Sequence, residues 1–561
     1  MNKDILDNIT PTNFIEEAII EDLRSGKQVE VITRCPPEPS GYWHIGHCKA
    51  WTLDFEMAKK FGGYTNLRMD DTNPTKEDGD FADSYLEDLR WLGYTPKNVI
   101  YSSEAYFEKF YEIAKTLIKE GKAFVCELTA DEVFATRGDL KTAGQNSPYR
   151  DRPIEENLRL FEEMRAGIHP DGSMTLRLKI DMASSNMNMR DPIIYRIMHT
   201  KHYKTGDKWC IYPMYDFAHP IEDALEGITF SMCDISFEDH RPLYNWIVDN
   251  CFPDLQYKPR QIEFAALAIE NVLLGKRYLK QLVNSGKVMG WDDPRLYTIV
   301  GMKRRGIPAA AVKNFVMNNG VTKAVTVLPI SNLNYYIREE LNRTADRAMV
   351  VLDPLKVVIT NYEGANETIA VENNPNAEPK TTHESQFGRV VYIEKEDFSL
   401  NPPAKYNRLV LGGLVRLKNA YVIKCNNVVY KENGEIDYLE CEYLPETRSG
   451  CDNSGIKVKG TIHFVAEGNF TRVTIREIGN LTKIEYLEPA KALASGTTID
   501  EIFDPQSLTE TEALAENFVL GAEVGRVFQF VRKGYYCIDK DSTADRLVFN
   551  KTIGLKDSFN K

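Results

Sequence analysis

The chain has 561 residues, which is too long for one hydrophobic core and predicts several domains. Its 43% hydrophobic and 27% charged residues are typical of a globular protein, and no apolar run is long enough to cross a membrane. The net charge of −13 excludes an evenly basic surface but permits a basic face for nucleic acid on an acidic protein.

The N-terminal part of the chain has an α/β pattern. Residues 1–27 have the apolar spacing of a helix. From residue 29 to about 100, short apolar runs alternate with helical patterns, which predicts a parallel sheet with crossover helices. The predicted strands and helices are strands 29–33, 64–69 and 99–101 and helices 48–60 and 81–92.

Residues 104–210 interrupt this alternation. Helices are predicted at 104–120 and 154–166, around the polar stretch 142–148, and we interpret the segment as an insertion. The strand pattern returns near 209–213. The α/β domain therefore consists of two halves on either side of an inserted domain.

The C-terminal part changes from helices to strands. Residues 265–345 are mostly helical, and after about 347 short strands alternate with turn residues. This pattern predicts an all-β region of one or two barrels. The predicted strands include 348–352, 356–359, 389–393, 419–423, 461–465 and 527–530.

The cysteines and the first residues indicate the compartment. The ten cysteines are scattered and include no Cys-x-x-Cys pair, which predicts reduced thiols and no zinc site. Residues 1–7 have neither the basic nor the apolar region of a signal peptide. We therefore expect a cytoplasmic protein without a membrane attachment.

The first candidate motif is His44-Ile45-Gly46-His47, between the predicted strand 29–33 and the helix 48–60. A helix N-terminus attracts phosphate through its free backbone N–H groups and its dipole. Two imidazoles there would add two donors for a nucleotide triphosphate. By chance such a motif occurs in roughly one chain in a hundred. An ordinary turn between two histidines remains an equal alternative.

Three further motifs carry polar groups that could bind a ligand. In 68–74, Asp70 and Asp71 follow a strand, so we expect one carboxylate to face the cleft and the other to cap the next helix. The loop 273–277 could place a lysine on phosphate oxygens, although a solvated pair of cations is the simpler interpretation. The aromatic stretch 209–219 predicts a ligand pocket or, equally, a buried core.

Taken together, these motifs resemble a known family. The stretch His44–His47 and the loop ending at Lys276 resemble the two signatures of class I aminoacyl-tRNA synthetases. Longer stretches resemble the bacterial-type glutaminyl-tRNA synthetase family, and the resemblance covers residues 29 to 557. These stretches are 36–47, 68–74, 208–217, 223–229, 290–295 and 406–424.

The resemblance implies an architecture for the whole chain. It consists of a Rossmann-like catalytic domain with an inserted acceptor-end-binding domain, a helical connector with the lysine loop, and anticodon-binding β-barrels. The implied boundaries are 1–103 and 211–264 for the two halves of the catalytic domain, 104–210 for the insertion, 265–345 for the connector, and 346–561 for the barrels, with the distal barrel at about 401–487.

The resemblance also implies a reaction. The glutamine carboxylate attacks the α-phosphate of ATP, and the adenylate then transfers its acyl group to the 3′ end of glutamine tRNA. Activation is expected to need tRNA, ATP to act with Mg²⁺ as substrate complex, and the protein to be a monomer without a tightly bound cofactor or metal.

The residues implied by the resemblance fall into four groups. The catalytic residues are His44, His47 and Lys276. The ATP-binding residues are Glu38, Pro39, His44, Gly46, His47, Leu267, Leu274, Gly275 and Lys276. The glutamine-binding residues are Arg34, Asp70, Tyr215, His219 and Cys233. The tRNA-binding residues are Leu140 and Asp239 at the acceptor end and Arg347, Lys405, Arg408, Arg416, Lys418, Gln529 and Arg532 at the anticodon.

Several positions depart from the family or separate it from its relatives. Gly275 stands where the family loop has serine, Ala266 where its ATP site has arginine, and Lys405 and Lys418 where a glutamine and an arginine are usual. We expect retained activity with altered ATP affinity. Cys233 stands where related glutamate enzymes have arginine.

Two alternatives to glutamine–tRNA ligation stay open on the sequence. The first is a glutamate–tRNA ligase, possibly non-discriminating, against which the neutral Cys233 argues because a glutamate carboxylate needs a cation. The second is a catalytically silent tRNA-binding paralogue, which only the altered lysine loop favours.

Overall fold

The computed structural model describes residue 6 and residues 9–75 and 79–556. The chain divides into two units, which are described separately: the first is Met1–Ala268 with Val316–Val327, and the second is Ile269–Phe315 with Leu328–Lys561. Within the described residues, no helix combines the length and the apolar character that a membrane span requires.

The first unit contains the α/β domain and the insertion between its two halves. Its helices are α1 (Phe14–Ser25), α2 (Ile45–Lys60), α3 (Gly79–Trp91), α4 (Ser102–Ala105), α5 (Phe107–Lys119), α6 (Ala130–Arg137), α7 (Ile154–Arg165), α8 (Tyr215–Glu226) and α9 (Arg241–Cys251). Its strands are β1 (Ile32–Cys35), β2 (Tyr64–Met69), β3 (Val99–Tyr101), β4 (Ala123–Cys126), β5 (Thr175–Leu178), β6 (Ile193–Ile197), β7 (Ile211–Pro213), β8 (Phe230–Asp234) and β9 (Arg260–Phe264).

The predicted parallel sheet is present. Strand β1 pairs with β2 and β2 with β3, all parallel, while β8 pairs in parallel with β9. The Thr229 N–H donates to the Ile32 carbonyl at 2.9 Å, which places β8 beside β1. In the order β3-β2-β1-β8-β9, the strand order reverses between β1 and β8. Open α/β sheets bind ligands at such a topological switch point.

Local boundaries differ from the predictions where capping decides them. Strand β1 begins at Ile32 instead of residue 29, and Val29 is half exposed. Helix α1 begins at Phe14 because the Asn13 side chain caps it. The predicted helix 1–27 is therefore interrupted: residue 6 is helical and residues 9–13 are not, while residues 1–5, 7 and 8 lie outside the described residues.

The insertion is a sheet packed on helices. Strands β4, β5, β6 and β7 form an antiparallel sheet whose apolar side chains share one core with α5 and α7. The predicted helix 104–120 is interrupted at Tyr106, so that α4 and α5 are separate. The strands of this sheet are short and buried, and the sequence analysis did not predict β4, β5 or β6.

The second unit begins with helices and ends in two seven-stranded sheets. Its helices are α10 (Lys276–Asn284), α11 (Ile299–Arg305), α12 (Ala309–Asn318, which extends into the first unit), α13 (Ile330–Thr344), α14 (Pro489–Ala494) and α15 (Ile499–Ile502). Two short strands, β10 (Ala268–Ile269) and β11 (Val327–Leu328), contain the unit boundaries.

The all-β region carries the remaining strands, each sheet with its own apolar core. They are β12 (Asp346–Ala348), β13 (Val350–Val351), β14 (Pro354–Ile359), β15 (Glu367–Glu372), β16 (Thr382–Phe387), β17 (Val390–Glu394), β18 (Phe398–Ser399), β19 (Leu409–Val410), β20 (Leu414–Leu417), β21 (Val422–Tyr430), β22 (Ile436–Leu444), β23 (Thr461–Ile462), β24 (Phe464–Ala466), β25 (Phe470–Ile478), β26 (Leu508–Glu516), β27 (Val527–Phe530), β28 (Gly534–Ile538) and β29 (Leu547–Gly554). One sheet has the order β23-β20-β21-β22-β14-β17-β24, and the other β12-β27-β28-β29-β25-β26-β13.

Candidate active site

The two histidines of the first motif form the N-terminal cap of α2. His44 is the capping residue, and its Nδ1 accepts the Gly46 backbone N–H at 3.1 Å. In return, Nδ1 of His47 accepts the His44 backbone N–H at 3.1 Å. The imidazole centroids are 4.0 Å apart. Helix α2 therefore begins three residues before the predicted start, because the histidines themselves cap it.

This arrangement fixes which ring nitrogen carries the proton. Burial lowers the pKa of His44 to about 4, so the ring is neutral at neutral pH. Since Nδ1 accepts a hydrogen bond in both rings, the proton of each neutral ring lies on Nε2. His44 and His47 thus place Nε2–H donors at the positive end of the α2 dipole, which suits an anion.

The other predicted ATP residues of the first unit lie on two loops. The loop 36–43 is held by the Tyr85 hydroxyl, which donates to the carbonyls of Glu38 at 3.1 Å and Gly41 at 2.7 Å. The Glu38 side chain is exposed, while Pro39 is buried. Leu267 is half-buried and follows β9, where Lys49 of α2 donates to the Ala265 carbonyl at 2.6 Å.

A buried network of charges lies at the ends of β1 and β2. Asp223 of α8 is fully buried and accepts from Arg34 Nε at 3.2 Å and from Arg68 Nη1 at 2.9 Å. Its other oxygen contacts His219 Nε2 at 3.1 Å and accepts from the Tyr244 hydroxyl at 2.9 Å. Burial alone would raise the pKa of Asp223, but Arg34, His219 and Arg68 hold it well below its usual value.

All three nitrogens of the Arg34 guanidinium, Nε, Nη1 and Nη2, have partners within the protein. Its Nη1 donates to the Met232 carbonyl at 2.8 Å. Its Nη2 contacts His219 Nε2 at 2.8 Å, the Ser231 hydroxyl at 2.9 Å and Cys233 Sγ at 3.3 Å. Three of the five predicted amino-acid-binding residues, Arg34, His219 and Cys233, are thus in direct contact.

The two adjacent aspartates have different partners. Asp71 accepts the Ser103 backbone N–H at 2.8 Å in the first turn of α4, so it does not cap the next helix, α3, as the sequence predicted. Asp70 accepts from Arg68 Nε at 2.7 Å with one oxygen. Its other oxygen, Oδ2, is buried without a hydrogen-bond partner in the described structure, as is Nη2 of Arg68. An ammonium group would satisfy Asp70 Oδ2.

Tyr215 begins α8 on the side of the network. Its ring centroid is 5.2 Å from that of His219 and 5.5 Å from that of Phe237, and the side chain is 36% exposed. It is the most exposed of the five predicted amino-acid-binding residues. An open phenol above buried charges is suited to bind a small polar molecule.

The network makes stability depend on pH in the alkaline range. Burial alone would lower the pKa of His219, but the Asp223 carboxylate raises it to about 9. A raised histidine pKa stabilises the folded state fully below the unfolded value of 6.5, and this contribution is lost as the pH rises through 9. We expect the free energy of unfolding to fall by on the order of 3 kcal/mol between these limits.

Denaturant unfolding from pH 6 to 10 measures this effect. The variant His219→Gln should be less stable at pH 6 and should lose most of the slope. A wild-type slope that persists in His219→Gln would assign it to other groups.

The predicted lysine loop lies in the second unit. Gly275 caps α10 with φ +105°, a conformation that side chains rarely adopt, and Lys276 is exposed at the first position of the helix. Leu274 is half-buried, and Leu273 joins an apolar cluster with Leu279. The loop is therefore anchored on one side and presents its lysine to solvent.

Leu140 and Asp239, the predicted acceptor-end residues, belong to the first unit. Leu140 is 85% exposed at the tip of a turn, and Asp239 is exposed in the helical turn Ile235–His240. Both side chains are therefore accessible to solvent.

The predicted anticodon residues of the second unit differ in their hydrogen-bond and ion-pair partners within the protein. Arg408 and Arg532 both donate to the buried Asp397, at 2.6 and 2.7 Å. Burial and the nearby Arg347 lower the pKa of Lys418.

Arg416 donates to the Thr447 carbonyl at 2.6 Å and pairs with Asp452. Gln529 donates to the Tyr535 hydroxyl at 2.8 Å. Lys405 is exposed and has φ +65°.

The sequence analysis assigned no role to several central residues of these sites. Asp223 and Tyr244 organise the first network, and Asp397 holds two arginines of the second unit. Arg68 and Asp223 belong to stretches that resemble the family. Asp223, however, lies 155 residues from Arg68 and 189 residues from Arg34 in sequence. In the part of the chain that the structure describes, no group of three or more histidine, cysteine, aspartate or glutamate side chains could hold a metal ion.

Comparisons with known proteins agree with these observations. A family model described as the catalytic domain of class I tRNA synthetases (E and Q) matches residues 30–343. Two models for their anti-codon binding domain match residues 345–444 and 461–539.

Curated relatives match over almost the full length. The chain is 50% identical over 550 residues to a glutamine–tRNA ligase of Clostridium perfringens, covering 98% of each chain. It is 48% identical over 554 residues to that of Rhodopirellula baltica, covering 98% of this chain and 91% of the relative. A solved glutamate tRNA ligase of Elizabethkingia meningosepticum matches at 18% identity and TM-score 0.40, over 56% of this chain and 70% of the other.

Proposed function

The chain belongs to the class I tRNA synthetases for glutamate and glutamine, and from that premise we propose that it ligates L-glutamine to glutamine tRNA with ATP. Its relatives at 46–50% identity over nearly the whole chain are glutamine–tRNA ligases. The observation that carries the choice of glutamine is the charge balance around Arg34. The alternatives are glutamate ligation and a silent paralogue.

The pocket favours a neutral side chain. Arg34 is nearly fully buried, and its donors are bound by Asp223, Ser231 and the Met232 carbonyl. The carboxylates of Asp223, Asp70, Glu222 and Glu226 together face Arg34, Arg68 and His219. A glutamate carboxylate entering beside Cys233 would find no uncompensated cation, and an unpaired buried charge costs several kcal/mol. A carboxamide avoids this cost and bonds to hydroxyl groups, of which Tyr215 offers one.

Glutamine would bind with its α-ammonium at Asp70, whose Oδ2 lacks a partner in the described structure. Its carboxylate would then face the N-terminus of α2 in the proposed reaction. His219 and Cys233 complete the proposed pocket.

The proposed chemistry uses the cap of α2. When the glutamine carboxylate attacks the α-phosphate, charge develops on the phosphate oxygens. Nε2–H of His44 and of His47, at the positive end of the helix dipole, would bind those oxygens more strongly in the transition state than in the ground state. We assign Lys276, with Leu274 and Gly275, to the β- and γ-phosphates, and Glu38, Pro39, Gly46 and Leu267 to the remaining ATP contacts.

Magnesium would enter with ATP, because Mg²⁺ binds mainly to substrate phosphates and water. We further propose a monomer that works in the cytoplasm. All ten cysteines are free thiols, as a reducing compartment requires.

The tRNA would contact both units. In the first unit, Leu140 would displace the first base pair of the acceptor stem, and Asp239 would accept from a base in its minor groove. In the second unit, the anticodon residues are Arg347, Lys405, Arg408, Arg416, Lys418, Gln529 and Arg532. Arg347 and Lys418 lie close enough to interact, which concentrates positive charge for RNA.

The test is aminoacylation of purified glutamine tRNA with labelled glutamine or glutamate. Charging with glutamine alone supports the proposal. Charging with glutamate supports the first alternative, and binding of tRNA without charging or ATP–pyrophosphate exchange supports the second.

Gly275 makes the lysine loop sensitive to substitution. We expect Gly275→Ser, which restores the usual family residue, to raise the KM for ATP several-fold, since φ +105° costs a side chain about 1–2 kcal/mol. ATP–pyrophosphate exchange with glutamine and tRNA measures KM and kcat.

Leu273→Met is the matched control, because it changes the same loop at a residue that we do not assign to ATP and without a constraint on φ, and it should leave KM within about two-fold. A lower KM in Gly275→Ser would contradict the prediction and would show that the serine hydroxyl reaches the nucleotide.

A further inference from the structure

The turn that carries Leu140 is held by one buried arginine. Arg190 is 4% exposed, and its Nη1 lies 2.9 Å from the Arg137 carbonyl, 3.0 Å from that of Asp139 and 2.9 Å from that of Thr142. These three carbonyls surround the turn. A guanidinium satisfies such converging acceptors, whereas a single apolar side chain would leave them unpaired.

The turn itself is tightly closed. Asp139 Oδ1 accepts the backbone N–H groups of Lys141 and Thr142, each at 2.7 Å. Gly138 has φ +74°, and a Cβ there would meet the Thr142 carbonyl oxygen at 2.5 Å. Leu140 therefore projects into solvent from a backbone that has little freedom, so its exposure is not that of a loose loop.

The same segment of the chain also reaches Asp239. Arg137 Nη2 donates to the Met187 carbonyl at 2.7 Å. On either side of Met187, the amides of Asn186 and Asn188 donate to the Asp239 backbone carbonyl at 2.7 and 3.2 Å. Residues 184–190 thus bond to both elements that we assign to the acceptor end.

We propose that Arg190 is a positioning residue for acceptor-end opening: it holds the Leu140 turn, and through residues 184–190 it fixes that turn relative to Asp239. The proposal rests on the proposed function of Leu140. Opening a base pair with one leucine requires a rigid support. A flexible turn would move away from the base pair, and the pair would stay closed. Such positioning effects change rates by about ten- to a hundred-fold.

The test compares two transcripts of glutamine tRNA, one with its first base pair intact and one with a mismatch there. For Arg190→Met we expect kcat/KM on the paired transcript to fall about ten- to a hundred-fold. The mismatched transcript, which needs no opening, should lose at most about three-fold. Arg190→Lys keeps the charge with fewer donors and should fall between wild type and Arg190→Met.

A matched control separates positioning from general damage to the inserted domain. Arg152 is also a poorly exposed arginine of this domain, but it donates to the Val125 carbonyl at 3.2 Å, away from the turn. Arg152→Met should affect both transcripts equally. Amide hydrogen exchange of residues 139–144 in the free protein should rise about ten-fold or more in Arg190→Met and stay unchanged in Arg152→Met.

The outcomes distinguish this inference from the function on which it rests. If Leu140→Ala fails to lower activity on the paired transcript selectively, the proposed acceptor contact fails, and the role of Arg190 fails with it. If Leu140→Ala is selective and both Arg190 variants, folded, are not, only the inference about Arg190 is overturned.

Discussion

Replacing Asp223 with asparagine is expected to lower the free energy of unfolding by about 3–5 kcal/mol and to abolish glutamine activation. Asparagine has nearly the same shape, so the change removes charge and not volume. The expected loss is large because Asp223 is fully buried and contacts three cationic groups, Arg34, Arg68 and His219.

The pH dependence identifies the cause. Without the Asp223 carboxylate, burial would lower the pKa of His219 from about 9, so the imidazole would be neutral at pH 7. Asp223→Asn should therefore lose stability mainly below pH 9, where wild-type His219 is protonated. The difference between the two proteins should narrow as the pH rises, because wild-type His219 then also becomes neutral.

Asp71→Asn provides the control. Asp71 is also fully buried, but it accepts from Ser103 and the Tyr203 hydroxyl and has no arginine partner in the contacts described for it. Chemical denaturation should show a smaller loss than in Asp223→Asn, since an amide oxygen can still accept the Ser103 N–H. Equal losses in the two variants would show that buried aspartates, and not the cation network, set the cost.

The sequence predicted the fold well where the pattern is local. Strands 64–69 and 527–530 have the predicted bounds. The antiparallel sheet of the insertion was not predicted. Strand β4 is wholly buried and lacks the alternation that marks a strand with one exposed face. Strand β5 has only four residues, and the two strands pair across about 50 residues.

The site was predicted from motifs, and its electrostatics were not. The pattern His44-Ile45-Gly46-His47 predicted a helix N-terminus, and the reciprocal cap explains why that spacing works. The network could not be predicted, because the partners of Arg34 and Arg68 lie on α8, far along the chain. Only packing shows that Asp223 bonds to both arginines and that further carboxylates surround Arg68. In the proposed function, this pairing favours a neutral amino acid side chain.

Two substitutions of His44 are expected to separate its structural role from its chemical one. The amide of His44→Asn can replace Nδ1 as the cap for Gly46, but it has no donor at the position of Nε2. Stability should change by less than about 0.5 kcal/mol, because asparagine is a favourable capping residue. The rate of ATP–pyrophosphate exchange should fall about a hundred- to a thousand-fold, as expected when one oxyanion donor is removed.

His44→Gln should show the opposite pattern. Its amide N–H can reach the position of Nε2, but the side chain no longer accepts from Gly46. We expect a loss of about 1 kcal/mol in stability and a smaller loss of activity than in His44→Asn. If His44→Gln is instead the less active of the two, the cap and not the donor carries the activity.

The pH profile tests the charge of this donor. Because burial lowers the pKa of His44 to about 4, its ring stays neutral from pH 5.5 upward, and its contribution should be constant from pH 5.5 to 8. A cationic His44 would instead lose activity as the pH rose through about 6.5. The ratio of wild-type to His44→Asn exchange rates isolates this contribution, since other titrating groups affect both proteins. A ratio that is constant over this range supports a neutral Nε2–H donor, whereas a ratio that falls with rising pH would assign the phosphate contact to an imidazolium.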